Sequence, residues 1–356
     1  MPTFTSKSKL QRGIADGKAA RLSEGTIFPA AGSACTQISK FEVFNMAQPA
    51  AAPAAVKPAR RRRLSLSAGE TLAGFLFVSP MLIGVTVLVL LPILAALALS
   101  LADWNFVQGW DGIEWIGFEN FRKLWNDPAF IRSIRNNFLF LLAVPVYMLI
   151  SMALAVLIDR YVYWKGFFKV AYFMPYISNI VAVAVVWQVL FHPSYGPINE
   201  ALQALGIANP PKWIADPKFA LYSIMMITVW ISIGFNLIIY IAGLQSIPRD
   251  LYEAADIDGA SALVKFARIT FPLLSPTSFF LLVTGIISSF KVFDIIAVMT
   301  QGGPIGSTSL MVWYLYDQAF NNLKIGYASS VSVVLFLFVI LITAGQWIAQ
   351  KKWVNY

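Results

Sequence analysis

The chain has 356 residues, 58% of them hydrophobic and 13% charged, with a formal net charge of +9 and only one histidine and one cysteine. That balance lies outside the soluble globular range and assigns the chain to a membrane. A lone histidine and a lone cysteine exclude a His/Cys metal centre, a disulfide framework and a Cys–His nucleophile pair, and the positive charge follows membrane topology and a basic tail rather than a nucleic-acid footprint.

Residues 1–63 differ from the rest. They are polar to residue 45, then Ala/Pro-rich, and end in Arg60, Arg61, Arg62 and Arg63, with no apolar period to support a core. The composition predicts a disordered tail over 1–63 and a membrane domain over 64–356. The only cysteine, Cys35, falls in the tail. The first 45 residues lack the charged and apolar regions of a signal peptide, so targeting falls to the first span as an uncleaved anchor. Met46 opens a compact basic lead into that span, and the expectation is that it is the physiological start, with 1–45 an over-extended reading. Gly13, Gly17 and Lys18 have neither the spacing nor the preceding strand of a phosphate-binding loop.

Crossing a bilayer core of about 30 Å takes roughly 20 predominantly apolar residues. Six stretches qualify: Leu72 to Leu101, Phe138 to Ile158, Phe168 to Phe191, Phe219 to Ile247, Leu273 to Met299 and Tyr327 to Ile348. An even number puts both termini on one side. That side carries thirteen Lys and Arg residues between Lys57 and Lys352, against seven on the other, among them Arg122, Arg132, Lys212 and Lys324. The excess predicts cytoplasmic termini. His192, beside Pro193 at the outer end of the third span, reads as an interfacial residue.

Between the fourth and fifth spans, residues 248–276 form a polar stretch far longer than a turn needs. Pro248 suits the first turn of a helix, and Asp250 and Glu253 complement its positive end. A short helix is expected from Arg249 to Ile257, ended by Gly259 in a left-handed conformation. Ser261 is placed to cap a second helix running towards Phe271, which Pro272 stops. Lys265 and Arg268 on that helix are expected to face the cytoplasm or lipid phosphates. As a bare pattern the stretch is an interfacial connector.

Its sequence, EAADIDGASALVKFARITFPLL, closely resembles the EAA signature of the permease subunits of bacterial ATP-binding-cassette (ABC) importers: E-A-A, a Gly after three residues, then I-x-x-P-L. Glu253, Ala254, Ala255, Gly259, Ile269 and Pro272 fall on that pattern, and Asp258 fills a common D-G-A variant. In that family the segment forms coupling helices seated in a cleft of the ATPase subunit. The resemblance therefore implies that Glu253, Ala254, Ala255, Asp258 and Gly259, within a coupling loop of 248–272, contact such a subunit.

Three further places are similar to carbohydrate-uptake permeases of the maltose and glycerol-phosphate type. Trp115 to Phe130 (WIGFENFRKLWNDPAF) resembles F-x-G-x-x-N-Y-x-x-x-x-x-D-x-x-F, with Phe121 for the tyrosine; Phe173, Met174 and Pro175 resemble the opening of the family's third span; and FDIIAVMTQGGP (Phe293 to Pro304) resembles F-D-x-I-x-x-L-T-x-G-G-P. The likeness covers the chain from Leu72 to its end. It implies a type I importer permease fold (MetI-like) and the compact first permease of a heterodimeric pair.

A solute path should place polar groups on one face of a span. Ser232, Asn236 and Tyr240 of the fourth span recur at helical spacing, one turn before Gly243, and serve either a path or helix-to-helix hydrogen bonding. In the fifth span, Ser288, Lys291 and Asp294 recur every third residue beside Phe290 and Phe293. Lys291 and Asp294 either neutralise each other or meet a solute, the carboxylate accepting hydroxyl protons and the rings stacking on sugar faces. Trp187, Gln188 and Trp230 are weaker candidates, as aromatic residues at span ends belong to interfacial belts. Gln301, Gly302, Gly303 and Pro304 make a tight turn in which Gly supplies positive φ, with solute contact as the alternative.

The sequence thus reads as an all-α membrane protein of six transmembrane helices, with no catalysis, cofactor, metal or nucleic acid of its own. What the resemblance implies is a permease in the bacterial inner membrane, partnered by a second permease, an ABC ATPase dimer and an extracytoplasmic solute-binding protein that lands on residues 102–136 and 193–218. The cargo is a sugar or sugar derivative. The alternatives are glycerol phosphate, a polyamine or another small solute, and an ion-coupled secondary transporter with Lys291 and Asp294 as a relay.

Overall fold

The computed structural model describes residues 68–353. The expectations for the tail, its disorder, the start at Met46 and the placing of Cys35, lie outside the described residues. Among the described residues, five helices are long and apolar enough to cross a membrane: Glu70–Leu99, Pro128–Tyr161, Ala220–Gln245, Ser275–Met299 and Ile325–Lys351. Counted as one span, the bent pair Lys165–Ile177 and Ile180–Leu190 makes a sixth. In chain order these are spans one to six, the bent pair being the third.

The third span departs from the expected continuous helix by turning through 94° between its limbs. Pro175 has no N–H to give its own helix, and Ser178 takes an extended ψ of 151°. Asn179 then restarts the chain as an N-cap, its Oδ1 accepting from Val181 N at 2.9 Å and Ala182 N at 3.2 Å. Span two also differs from expectation by starting well before Phe138. Asp127 caps it, accepting from Ala129 N at 2.8 Å, and Pro128 occupies the first turn. Its opening turns are too polar for a hydropathy reading to include.

Two prolines are absorbed rather than obeyed. Pro92 follows a π-helical turn, Thr86–Leu90, and Pro272 follows another, Phe266–Thr270. A proline ring crowds the carbonyl four residues back, and a widened turn relieves that crowding. The expectation that Pro272 stops the helix is therefore corrected: the helical path runs on through Phe271–Leu273 into span five.

Spans two, four and five enclose the main core, built around Val144, Tyr147, Ala155, Leu237, Tyr240, Leu274 and Leu281. Small residues set its spacing. A side chain at Gly285 would run into Tyr147 and Val144, and one at Gly234 into the backbone of Tyr172 and Phe173 on the first limb of span three. Ser151 adds a hydroxyl bond to the Ile233 carbonyl at 3.1 Å across spans two and four. Span one packs against span six and is otherwise apolar and exposed.

At the end remote from the 248–276 loop, a small hairpin pairs Ala102–Asp103 with Glu114–Trp115. The motif residues of this region hold it together. Gly117 has φ +61°, and Asn120 donates to the carbonyls of Ser100 at 3.2 Å and Ala102 at 2.8 Å. Phe130 is fully buried beside Leu124, Met311 and Val331. The chain leaving span five is clamped onto span two: Asn136 donates to Gly306 O at 3.1 Å and Ser309 O at 3.0 Å, and Asn137 accepts from Met311 N at 2.8 Å. Within the turn, Gln301 and Gly302 both have positive φ, and the Gly303–Pro304 bond is cis.

Candidate functional site

The 248–276 loop forms two helical pieces joined at Gly259. Pro248 is the N-cap of the helix Arg249–Ile257, which carries Asp250 in its first turn. Gly259 closes it with φ +71°, and Ala260 N bonds back to Ala255 O at 2.9 Å. Ser261 caps the next piece, Ala262–Lys265, through a long contact of 3.5 Å from Val264 N.

The first helix has two faces. Glu253, Ala254, Asp258 and Gly259 are exposed, and Ala255 is half-buried. With them stand two large apolar side chains, Ile257 at 87% exposure and Leu263 at 79%. The inward face carries Tyr252. Its hydroxyl lies 2.9 Å from Thr270 Oγ1, and the guanidinium of Arg160, from the last turn of span two, sits 4.5 Å from the centre of its ring. Lys265 does not face outward as expected: it is largely covered and ion-paired to Asp256, which ties the two pieces together.

The polar stripe of span four lies inside the helix packing. Tyr240 is fully buried and donates to Ser278 Oγ at 3.2 Å, and Asn236 donates to the Ser232 carbonyl at 2.8 Å. The trio of span five is placed differently. The helix ends at Phe290 and resumes at Asp294, and at this step Ser288, Lys291 and Asp294 are exposed on a cavity of about 190 Å³ shared with Ile180 and Thr228. Among the described residues no ion pair within 4.0 Å joins Lys291 to Asp294, the first of the two roles that their spacing left open. Ile180 opens the outer limb of span three, so this trio meets the break in that span.

Sequence reasoning missed an aromatic row. Phe293 stacks on Trp313 at 6.0 Å and meets Tyr316 at 4.9 Å, and Tyr316 meets Phe320 at 5.0 Å. Its signal was the spacing of Trp313, Tyr316 and Phe320 along one helix face. Trp187 and Trp230 pack edge to face at 5.5 Å between spans three and four. His192 stacks on Tyr195 and accepts from Ser194 N at 3.3 Å, a local turn.

Residues 132–353 match the family described as binding-protein-dependent transport system inner membrane component. The chain is 33% identical to the probable ABC transporter permease protein YesP of Bacillus subtilis, over 81% of this chain and 93% of that protein. It is 33% identical to the lactose transport system permease protein LacF of Rhizobium radiobacter, over 82% of this chain and 98% of that one. The figure is 35% for the sn-glycerol-3-phosphate transport system permease protein UgpA of Pectobacterium atrosepticum, over 72% and 88%. The fold matches a chain in the crystal structure of a bacterial ABC transporter involved in the import of the acidic polysaccharide alginate, with a TM-score of 0.71, 23% identity and coverage of 81% of this chain and 98% of that one.

Proposed function

The chain belongs to the inner-membrane permease family of binding-protein-dependent ABC importers, and on that footing we propose that it is a non-catalytic permease subunit carrying a sugar or sugar derivative. It pairs with a second permease around the solute path, and both its termini are cytoplasmic. An ABC ATPase dimer docks on the coupling loops and closes on ATP, switching the path between inward- and outward-facing states. A solute-binding protein delivers the cargo to the opposite end.

The observation that carries the reading is the outward face of the helix Arg249–Ile257 and its return. Ile257 and Leu263 stand bare beside Glu253, Ala254 and Asp258. Large apolar side chains set out on a polar loop are what a partner's cleft covers, and Gly259 keeps the two pieces compact enough to enter one. The solute class rests on relatives whose names include lactose and sn-glycerol 3-phosphate. The ion-coupled carrier weighed from the sequence does not fit this family.

A second cargo reading has its own observation. Lys291 is exposed at the span-five cavity without an ion pair to Asp294, which suits a solute bearing an anionic group such as a phosphate. A neutral sugar would instead use Asp294 and the ring of Phe293.

Binding of the partner ATPase to the detergent-solubilised permease tests the docking reading. The wild type should retain the ATPase, and Glu253→Lys and Ile257→Asp should each lose it while the permease stays folded. Equal retention by all three would overturn the reading.

A further inference from the structure

We propose that Arg160 and Tyr252 form the positioning link through which movement of the coupling helix reaches span two and the inner limb of span three. This rests on the docking reading above, because it needs an ATPase to move the helix. A push on the outward face of Arg249–Ile257 must leave through its inward face, and Tyr252 is the residue there with two directed contacts. Its hydroxyl meets the fully buried Thr270 at 2.9 Å, and its ring lies under the half-buried Arg160 guanidinium at 4.5 Å.

The path continues on both sides of that pair. Asp159, next to Arg160, pairs with Lys165 at 3.9 Å, and the Lys165 ammonium also donates to the Asp159 carbonyl. Lys165 is the first residue of the limb Lys165–Ile177, which packs on span four at Gly234 and ends at the break beside Asn179. Thr270 lies on the helical path into span five. Tyr252 thus joins the coupling helix to span two through its ring and to the approach to span five through its hydroxyl, and Asp159 and Lys165 carry the link on from span two to span three. A cation over a ring face keeps its attraction while it slides, within about 6 Å of the centroid. The contact can therefore hold through a rigid-body shift that would break a fixed hydrogen bond.

Spin labels at Tyr163→Cys and Leu205→Cys, exposed just ahead of span three and on the loop beyond its outer limb, read the transmission in a Cys35→Ser background. The complex, assembled with its ATPase and second permease in lipid vesicles, is compared without nucleotide and after trapping with ATP and vanadate. In the parent the label distance should change by roughly 2 Å or more. In Tyr252→Ala and Arg160→Gln the ATPase should copurify as in the parent while the change falls below half, and Tyr252→Phe, which keeps the ring, should preserve it. A full change in Tyr252→Ala, a loss in Tyr252→Phe as deep as in Tyr252→Ala, or no change in the parent overturns the link. So does loss of the ATPase from Tyr252→Ala alone, which would make the pair a structural support. Absence of the ATPase from the parent complex is a different failure, that of the docking reading itself.

Discussion

The Tyr327 hydroxyl donates to Asp127 Oδ2 at 2.8 Å, joining positions 200 residues apart at the end of the molecule remote from the coupling loop. Tyr314 donates to the same oxygen. Burial alone would raise the Asp127 pKa, but the two hydroxyls and the N–H groups of Ala129 and Phe130 outweigh it and hold the carboxyl below its ordinary value. A depressed carboxyl contributes stability that is complete above the unfolded pKa of about 3.9 and is lost as pH falls through the folded value. Thermal unfolding of the detergent-solubilised protein should therefore show acid destabilisation that is weaker in Asp127→Asn. Tyr327→Phe should cost about 1.5 to 3 kcal/mol at neutral pH, the range for a hydrogen bond to a charged group. A pH profile unchanged in Asp127→Asn would contradict this.

Gly234 lets the inner limb of span three press against span four. An added methyl would meet the Tyr172 carbonyl and the Phe173 backbone, which cannot swing aside as a side chain can. Gly234→Ala should therefore cost about 1 to 3 kcal/mol, the range for overpacking. Gly345→Ala, where nothing lies within 4 Å, is the control and should be near neutral. Melting temperatures of the two variants, measured side by side, check the contrast.

Lys291 and Asp294 form no ion pair within 4.0 Å, so no direct salt bridge couples them. A double-mutant cycle of Lys291→Ala and Asp294→Ala on stability is expected to give an interaction of less than about 0.5 kcal/mol. A larger favourable coupling would mean that the two side chains pair after all.

Much of this architecture was legible because bilayer crossing depends on composition, which a sequence displays directly. The positive φ of Gly259 and the helix Arg249–Ile257 were legible too, since glycine and proline punctuate a chain by local sterics. What escaped depends on direction and on distant partners. Hydropathy records how many apolar residues follow one another and not whether they continue in line, so the 94° turn after Pro175 was invisible from the apolar run alone. The fate of Pro272 depended on whether the helix could widen ahead of it, and a π-helical turn allowed that. Lys265 was expected to face outward because its partner Asp256 lies nine residues back across a turn, outside the spacing of a single helix. The inward role of Tyr252 was hidden for the same reason: Arg160 lies at the end of another span.

Solute uptake by vesicles reconstituted with the second permease, the ATPase and the solute-binding protein, using radiolabelled sugars and sn-glycerol 3-phosphate, tests docking at the coupling loop most directly. Uptake should require ATP inside the coupling-loop compartment and collapse in Glu253→Lys and in Gly259→Pro. The second change is severe because proline holds φ near about −65°, whereas position 259 has φ +71°. Both variants should still insert into the membrane. Uptake that survives both substitutions, or that follows a proton gradient without ATP, would contradict the claim that this loop is where the driving subunit docks.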